Sequence, residues 1–140
     1  MARAEARFTV DRPKDAVLAF LRDPAQVGEC LAFVAGTERG PEGDRWKVKA
    51  PMSVITQTPH LDVAFQVEGN QVRWQGRGRH LDIRGTFTVG EGPARATEVA
   101  CTLEVLPLGA LAPVLEPLAE AQVGGQLDYF VREVRTRLAL

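Results

Sequence analysis

Glu98-Val99-Ala100-Cys101-Thr102-Leu103-Glu104-Val105-Leu106-Pro107 is the stretch on which the fold turns. Val99, Cys101, Leu103 and Val105 alternate with Glu98, Thr102 and Glu104, the period of two that marks a strand with one buried face. Beyond Pro107 the apolar spacing lengthens to three and four. Leu111, Leu115, Leu118, Leu127, Phe130, Val131, Val134 and Leu138 follow it, while Glu120, Asp128, Arg132, Glu133 and Arg135 form a polar stripe. A strand therefore gives way to a long amphipathic helix. Pro113 and Pro117 in its opening turns and Gly124-Gly125 in its middle predict an irregular start and a bend or soft point near Gly124.

Working back toward the N-terminus, the same period of two recurs between turn clusters at Gly40-Pro41-Glu42-Gly43-Asp44, Glu68-Gly69-Asn70 and Gly90-Glu91-Gly92-Pro93. It predicts strands at Phe33–Arg39, Arg45–Ile55, His60–Glu68, Gln71–Arg79, Leu81–Val89 and Ala96–Leu106, with Thr58-Pro59 as a bend or bulge. Strands joined by turns this short run antiparallel, because a parallel partner needs a long crossover. A further strand covers Ala2–Val10, where Ala2, Ala4, Ala6, Phe8 and Val10 alternate with charged or polar residues. After Asp11-Arg12-Pro13, Ala16, Val17, Phe20 and Leu21 stand at helical spacing, and the helix should stop near Asp23-Pro24. A second short helix, Ala25–Leu31, is weakened by Gly28. The expected architecture is an α+β helix-grip arrangement. A seven-stranded antiparallel sheet curls around a long C-terminal helix, with two short helices between strands one and two.

The bulk numbers set the class. The chain has 140 residues, 45% of them hydrophobic and 25% charged, with a net charge of −1. One domain over residues 1–140 is expected, large enough to fold without a metal or disulfide staple. The balanced charge argues against a nucleic-acid partner, which selects a basic excess. Cys30 and Cys101 have no CxxC or Cys/His cluster around them, so they read as two reduced, buried thiols, and no metal or cofactor is expected. The first residues interleave charges with alanines instead of building an apolar leader, and no apolar run reaches membrane-spanning length. A cytoplasmic location follows as an expectation.

The inward face supplies the candidate site. Trp46, Val48, Phe65, Trp74 and Leu103 from the sheet, and Val123, Leu127 and Phe130 from the helix, form the expected ligand-binding set, with His80 as its polar member. Ala50, Gly76, Gly78 and Gly85 are small inward residues that would leave room for a guest, although glycines in strands also mark bends. His80 either orients a ligand carbonyl or hydroxyl or ends a strand with its needs met by backbone; His60, after Pro59, reads as exposed. Arg73, Arg77, Arg79 and Arg84 form a local basic run, but alternation puts Trp74 on the opposite face, so the run reads as a solvated sheet face. No nucleophile triad, paired-carboxylate motif or phosphate loop appears, and no catalytic residue is assigned.

The segment Val10-Asp11-Arg12-Pro13-Lys14-Asp15-Ala16-Val17, continuing through Phe20-Leu21-Arg22-Asp23-Pro24 to Gly28-Glu29-Cys30, resembles the opening of the START-like, or Bet v 1-like, superfamily. Within it the chain looks most like the CoxG-like proteins of carbon monoxide dehydrogenase and the polyketide cyclase/dehydrase group. Leu106-Pro107-Leu108-Gly109 is similar to the cyclase/dehydrase pattern, and Ala121-Gln122-Val123-Gly124-Gly125-Gln126-Leu127 to a segment of the CoxG-like proteins. The usual proline-glycine after the second helix is replaced by Ala35-Gly36 or lost, and the C-terminal tail of CoxG-like proteins is not matched. The resemblance implies a helix-grip fold holding a small hydrophobic ligand, whether lipid, isoprenoid or polyketide-like, between sheet and C-terminal helix. Its alternatives are an accessory or assembly role of the CoxG type, with an unknown protein partner, and a cyclase/dehydrase-like enzyme using His80 and Tyr129 for proton transfer.

Overall fold

The structure, a computed structural model, describes residues 2–139. Strand β1 (Ala2–Val10) leads into helices α1 (Lys14–Leu21) and α2 (Pro24–Glu29). Six strands follow: β2 (Val34–Gly40), β3 (Gly43–Val48), β4 (His60–Glu68), β5 (Gln71–Arg77), β6 (Leu81–Glu91) and β7 (Thr97–Pro107). A short helix α3 (Met52–Ile55) interrupts them after β3, and α4 (Ala112–Leu138) ends the chain. All seven strands form one antiparallel sheet in the order β1-β7-β6-β5-β4-β3-β2. The order follows from tight turns: each strand from β2 to β7 pairs with its sequence neighbour, and β1 returns to pair along β7. Gly43 and Gly69 supply the positive φ that the turns around Pro41-Glu42 and Gly69-Asn70 require.

Sequence and structure part company at Pro51. The strand expected over Arg45–Ile55 stops at Val48, since Pro51 has no N–H for a ladder, and Met52–Ile55 closes a helical turn instead. Ser53 N–H and Val54 N–H donate back to the carbonyls of Lys49 and Pro51. The strand expected to reach Arg79 likewise ends at Arg77, where Gly78 N–H turns to the Leu81 carbonyl. Asp23 caps α2 with its side chain, accepting from Ala25 N–H at the start of the helix.

Helix α4 begins after a tight turn at Gly109–Leu111. At Gly124-Gly125, where a bend or soft point is expected, the helical hydrogen-bonded run is not interrupted, and Val123 and Leu127 are buried on either side. Its C-terminal half lies over β1 and β7, where Phe130, Val134 and Leu138 are buried and Phe130 stacks on Phe87 at 5.4 Å. Arg137 pairs with Glu29 at 3.0 Å and Arg12 donates to the Leu138 carbonyl, fastening this end to α2 and to the turn that precedes α1. Among the described residues no helix is long and apolar enough to cross a membrane.

Candidate functional site

The inward face of the sheet has two parts. In the first, Trp46 and Trp74 meet edge to face at 5.2 Å, and Phe65 stacks near Trp74 at 6.1 Å. Helix α2 closes over them: Trp46 Nε1 donates to the Pro24 carbonyl at 3.1 Å, and Gly28 lies so close to the indole that a Cβ there would come within 2.7 Å of it. Trp74 in turn lies flat enough on Gly85 that any side chain there would overlap the ring. The inward glycines are therefore filled rather than vacant. Gly76 faces Leu61, Gly78 faces Thr58, and Gly85 faces Trp74.

In the second part a cavity of about 220 Å³ remains between the sheet and the N-terminal half of α4. Leu81 and Ile83 of β6 and Leu103, Val105 and Pro107 of β7 form its floor. Leu115, Leu118, Ala119 and Val123 of α4 form the roof, while Phe33, Ala50, Pro51, Met52 and Ile55 close one side. Four polar residues join this wall: Lys49, Thr56, Gln122 and Gln126. Thr56 is already engaged, its hydroxyl donating to the Met52 carbonyl at 2.6 Å. Gln126 is not: its Oε1 is shielded and has no hydrogen-bond partner among the described residues. The apolar side chains Val54, Ile55, Val114 and Leu118 stand exposed on α3 and the start of α4.

Of the nine expected ligand-binding residues, Leu103 and Val123 stand in the cavity wall. Trp46, Phe65 and Trp74 belong to the aromatic cluster, and Leu127, Phe130 and Val48 are buried outside the wall. His80 lies in the β5–β6 connection, half-buried; its N–H donates to Thr58 Oγ1 and its carbonyl accepts from Leu108 N–H. Tyr129 is exposed on α4. The walls missed by sequence reasoning are those of α3 and of Leu115, Leu118, Gln122 and Gln126. For α4 a signal existed, since these four continue one helical stripe at spacings of three and four. For α3 the signal was Pro51 inside an apparent strand. Among the described residues no group of three or more His, Cys, Asp or Glu is placed to hold a metal ion.

The sequence profile of a family described as polyketide cyclase/dehydrase and lipid transport matches residues 1–139. The chain belongs to this family. No curated protein matches it. Solved structures share the fold at low identity. The Zhui aromatase/cyclase from Streptomyces sp. R1128 superposes with a TM-score of 0.71 at 14% identity, over 98% of this chain and 93% of that one. A START superfamily protein from Mycobacterium smegmatis gives 0.67 at 15%, over 99% and 98%. A Deinococcus radiodurans protein gives 0.68 at 19%, again over 99% and 98%. With the seven-stranded sheet and long C-terminal helix, they establish the START-like helix-grip fold, and family membership supports a ligand-binding or cyclase-like role.

Proposed function

We propose that this protein binds a small hydrophobic molecule in the cavity between β6, β7 and the N-terminal half of α4, as a carrier or sensor in the cytoplasm. The observation that carries the reading is the cavity itself: a space of about 220 Å³ walled mainly by apolar side chains, in a protein whose inward glycines at Gly76, Gly78 and Gly85 are met by neighbouring side chains. Burying apolar guest surface there yields about 25 cal/mol per Å². The family's description, which names both cyclases and lipid transport, supports the same reading. Trp46 and Phe130, although inward and aromatic, are assigned to the core, and Leu103, Val123, Leu115 and Ala119 to the guest.

The cyclase-like alternative rests on family membership alone, because His80 and Tyr129, the candidate proton-transfer groups, lie outside the cavity wall. The accessory reading of the CoxG type rests only on the short sequence likeness around Gly124-Gly125. Fluorine NMR of fluorobenzene tests the proposal. The wild-type protein should shift and broaden the resonance saturably, and Ala119→Phe, which places a ring in the cavity while keeping the fold, should abolish the effect. A wild-type protein that leaves the resonance unchanged, or an Ala119→Phe variant that binds equally well, overturns it.

A further inference from the structure

We infer that the guest is a neutral alcohol or phenol with an apolar body of roughly nine or ten carbon atoms, its hydroxyl received by the side-chain amide of Gln126. The inference rests on the cavity being the binding site proposed above and specifies what it selects.

Size comes first. A dry apolar cavity of about 150 Å³ accommodates benzene. In proportion, the 220 Å³ observed here accommodates about nine carbon atoms, and its opening to solvent allows one more. A fused polycyclic guest or a long acyl chain is too large for the space as it stands.

Polarity comes second. Gln122 and Gln126 stand one helical turn apart on the cavity face of α4. Gln126 Oε1 is shielded from water and accepts no hydrogen bond from any described residue. Buried acceptors are normally paired, and an unpaired one is costly. The last torsion of a glutamine is soft, so the amide can turn toward a guest without moving its stem. A hydrocarbon guest would leave Oε1 unpaired. A carboxylate would bring a second acceptor against it and would favour Lys49, whose side chain shares the wall but is exposed to water. Thr56 cannot offer its proton, which is committed to the Met52 carbonyl. A guest hydroxyl, donating to Oε1, is the group that completes the wall.

Calorimetric titration with p-cymene, thymol and cuminate tests this, since the three share one ring skeleton with no polar group, a hydroxyl and a carboxylate. Thymol should bind wild-type protein more tightly than p-cymene, and Gln126→Met should shrink that margin about tenfold, or 1.4 kcal/mol. An unchanged margin in Gln126→Met overturns the inference. Should that variant fail to fold by circular dichroism, the wild-type ranking decides: thymol above p-cymene supports the assignment, thymol below it refutes it. Cuminate binding above thymol, with the advantage lost in Lys49→Met, moves the polar end to Lys49 and overturns it too. Uptake of fluorobenzene without thymol preference sinks this inference and leaves the cavity reading intact. Failure of fluorobenzene itself to bind removes both.

Discussion

The two parts of the inward face carry residues of similar hydrophobicity yet end differently: one is packed shut and the other is hollow. In the shut part, planar rings lie against glycines. Trp46 sits under Gly28 and Trp74 over Gly85, so the bulk of each indole fits into the space left by a missing side chain. In the hollow part, branched aliphatic side chains from β6, β7 and α4 face one another, and at its side β3 ends at Val48. Pro51 turns the chain into α3, which forms a side of the cavity where a longer β3 would have continued the sheet. Fold-wide hydrophobic patterning thus decides which way residues face. Local volume matching decides whether a space is left.

That contrast can be broken by mutation. Trp46→Ala should have the largest effect, a loss of about 3–5 kcal/mol of stability in urea denaturation, because a fully buried ring inside a rigid cluster leaves a hole that cannot collapse. The folded fraction should still bind fluorobenzene with wild-type affinity. Gly85→Ala should follow at about 3 kcal/mol, since the new methyl group overlaps the Trp74 ring and forces overpacking. Leu103→Ala, on the cavity floor, should cost about 2 kcal/mol, at the low end for a buried leucine, because the vacated space merges with one that already exists. It should also admit guests with an extra ring substituent. A Leu103→Ala cost equal to that of Trp46→Ala would erase the distinction between the two parts.

Much of the fold was legible because strand alternation and helix periodicity are properties of single elements. Val99 to Val105 and the Leu127–Leu138 stripe face inward as their spacing demands. The short turns likewise imply an antiparallel order, which the register bears out from β2 to β7. What alternation does not encode is the partner across the gap. Gly76, Gly78 and Gly85 look like empty positions until Leu61, Thr58 and Trp74 are seen to occupy them, and those contacts depend on cross-strand register and twist. The same ignorance of partners made Trp46 and Phe130 seem like pocket residues. Met52 and Ile55 were hidden for a different reason: an apolar run after Lys49 reads as more strand unless the proline within it is weighted as a terminator.

The smallest expected effect sharpens the comparison from the side of the shut core. Cys30 and Cys101 are both buried and unpaired. Burial pushes each thiol up from 9.0 to about 11; beside Cys30 the Arg137 charge works in the opposite direction, with Glu133 and Glu29 adding to the rise, and at Cys101 a backbone hydrogen bond with Ala6 opposes it. The native protein therefore keeps both protons where the unfolded chain releases them. Stability contributed by these thiols is complete below pH 9.0 and is lost as pH climbs toward about 11, because there the unfolded state binds fewer protons. The informative quantity is the difference between the protein with both thiols and a variant without them. Wild-type protein should lose stability more steeply over that interval than a Cys30→Ala/Cys101→Ala variant, and parallel curves would refute the assignment. Reactivity provides the matching spatial test. A disulfide reagent near neutral pH should leave both native thiols untouched on a timescale that labels Val54→Cys, on the exposed face of α3, completely. Rapid labelling of Cys101, whose strand neighbours include Phe87 and Ala6, would mean that the part of the core described as shut opens as readily as the cavity does.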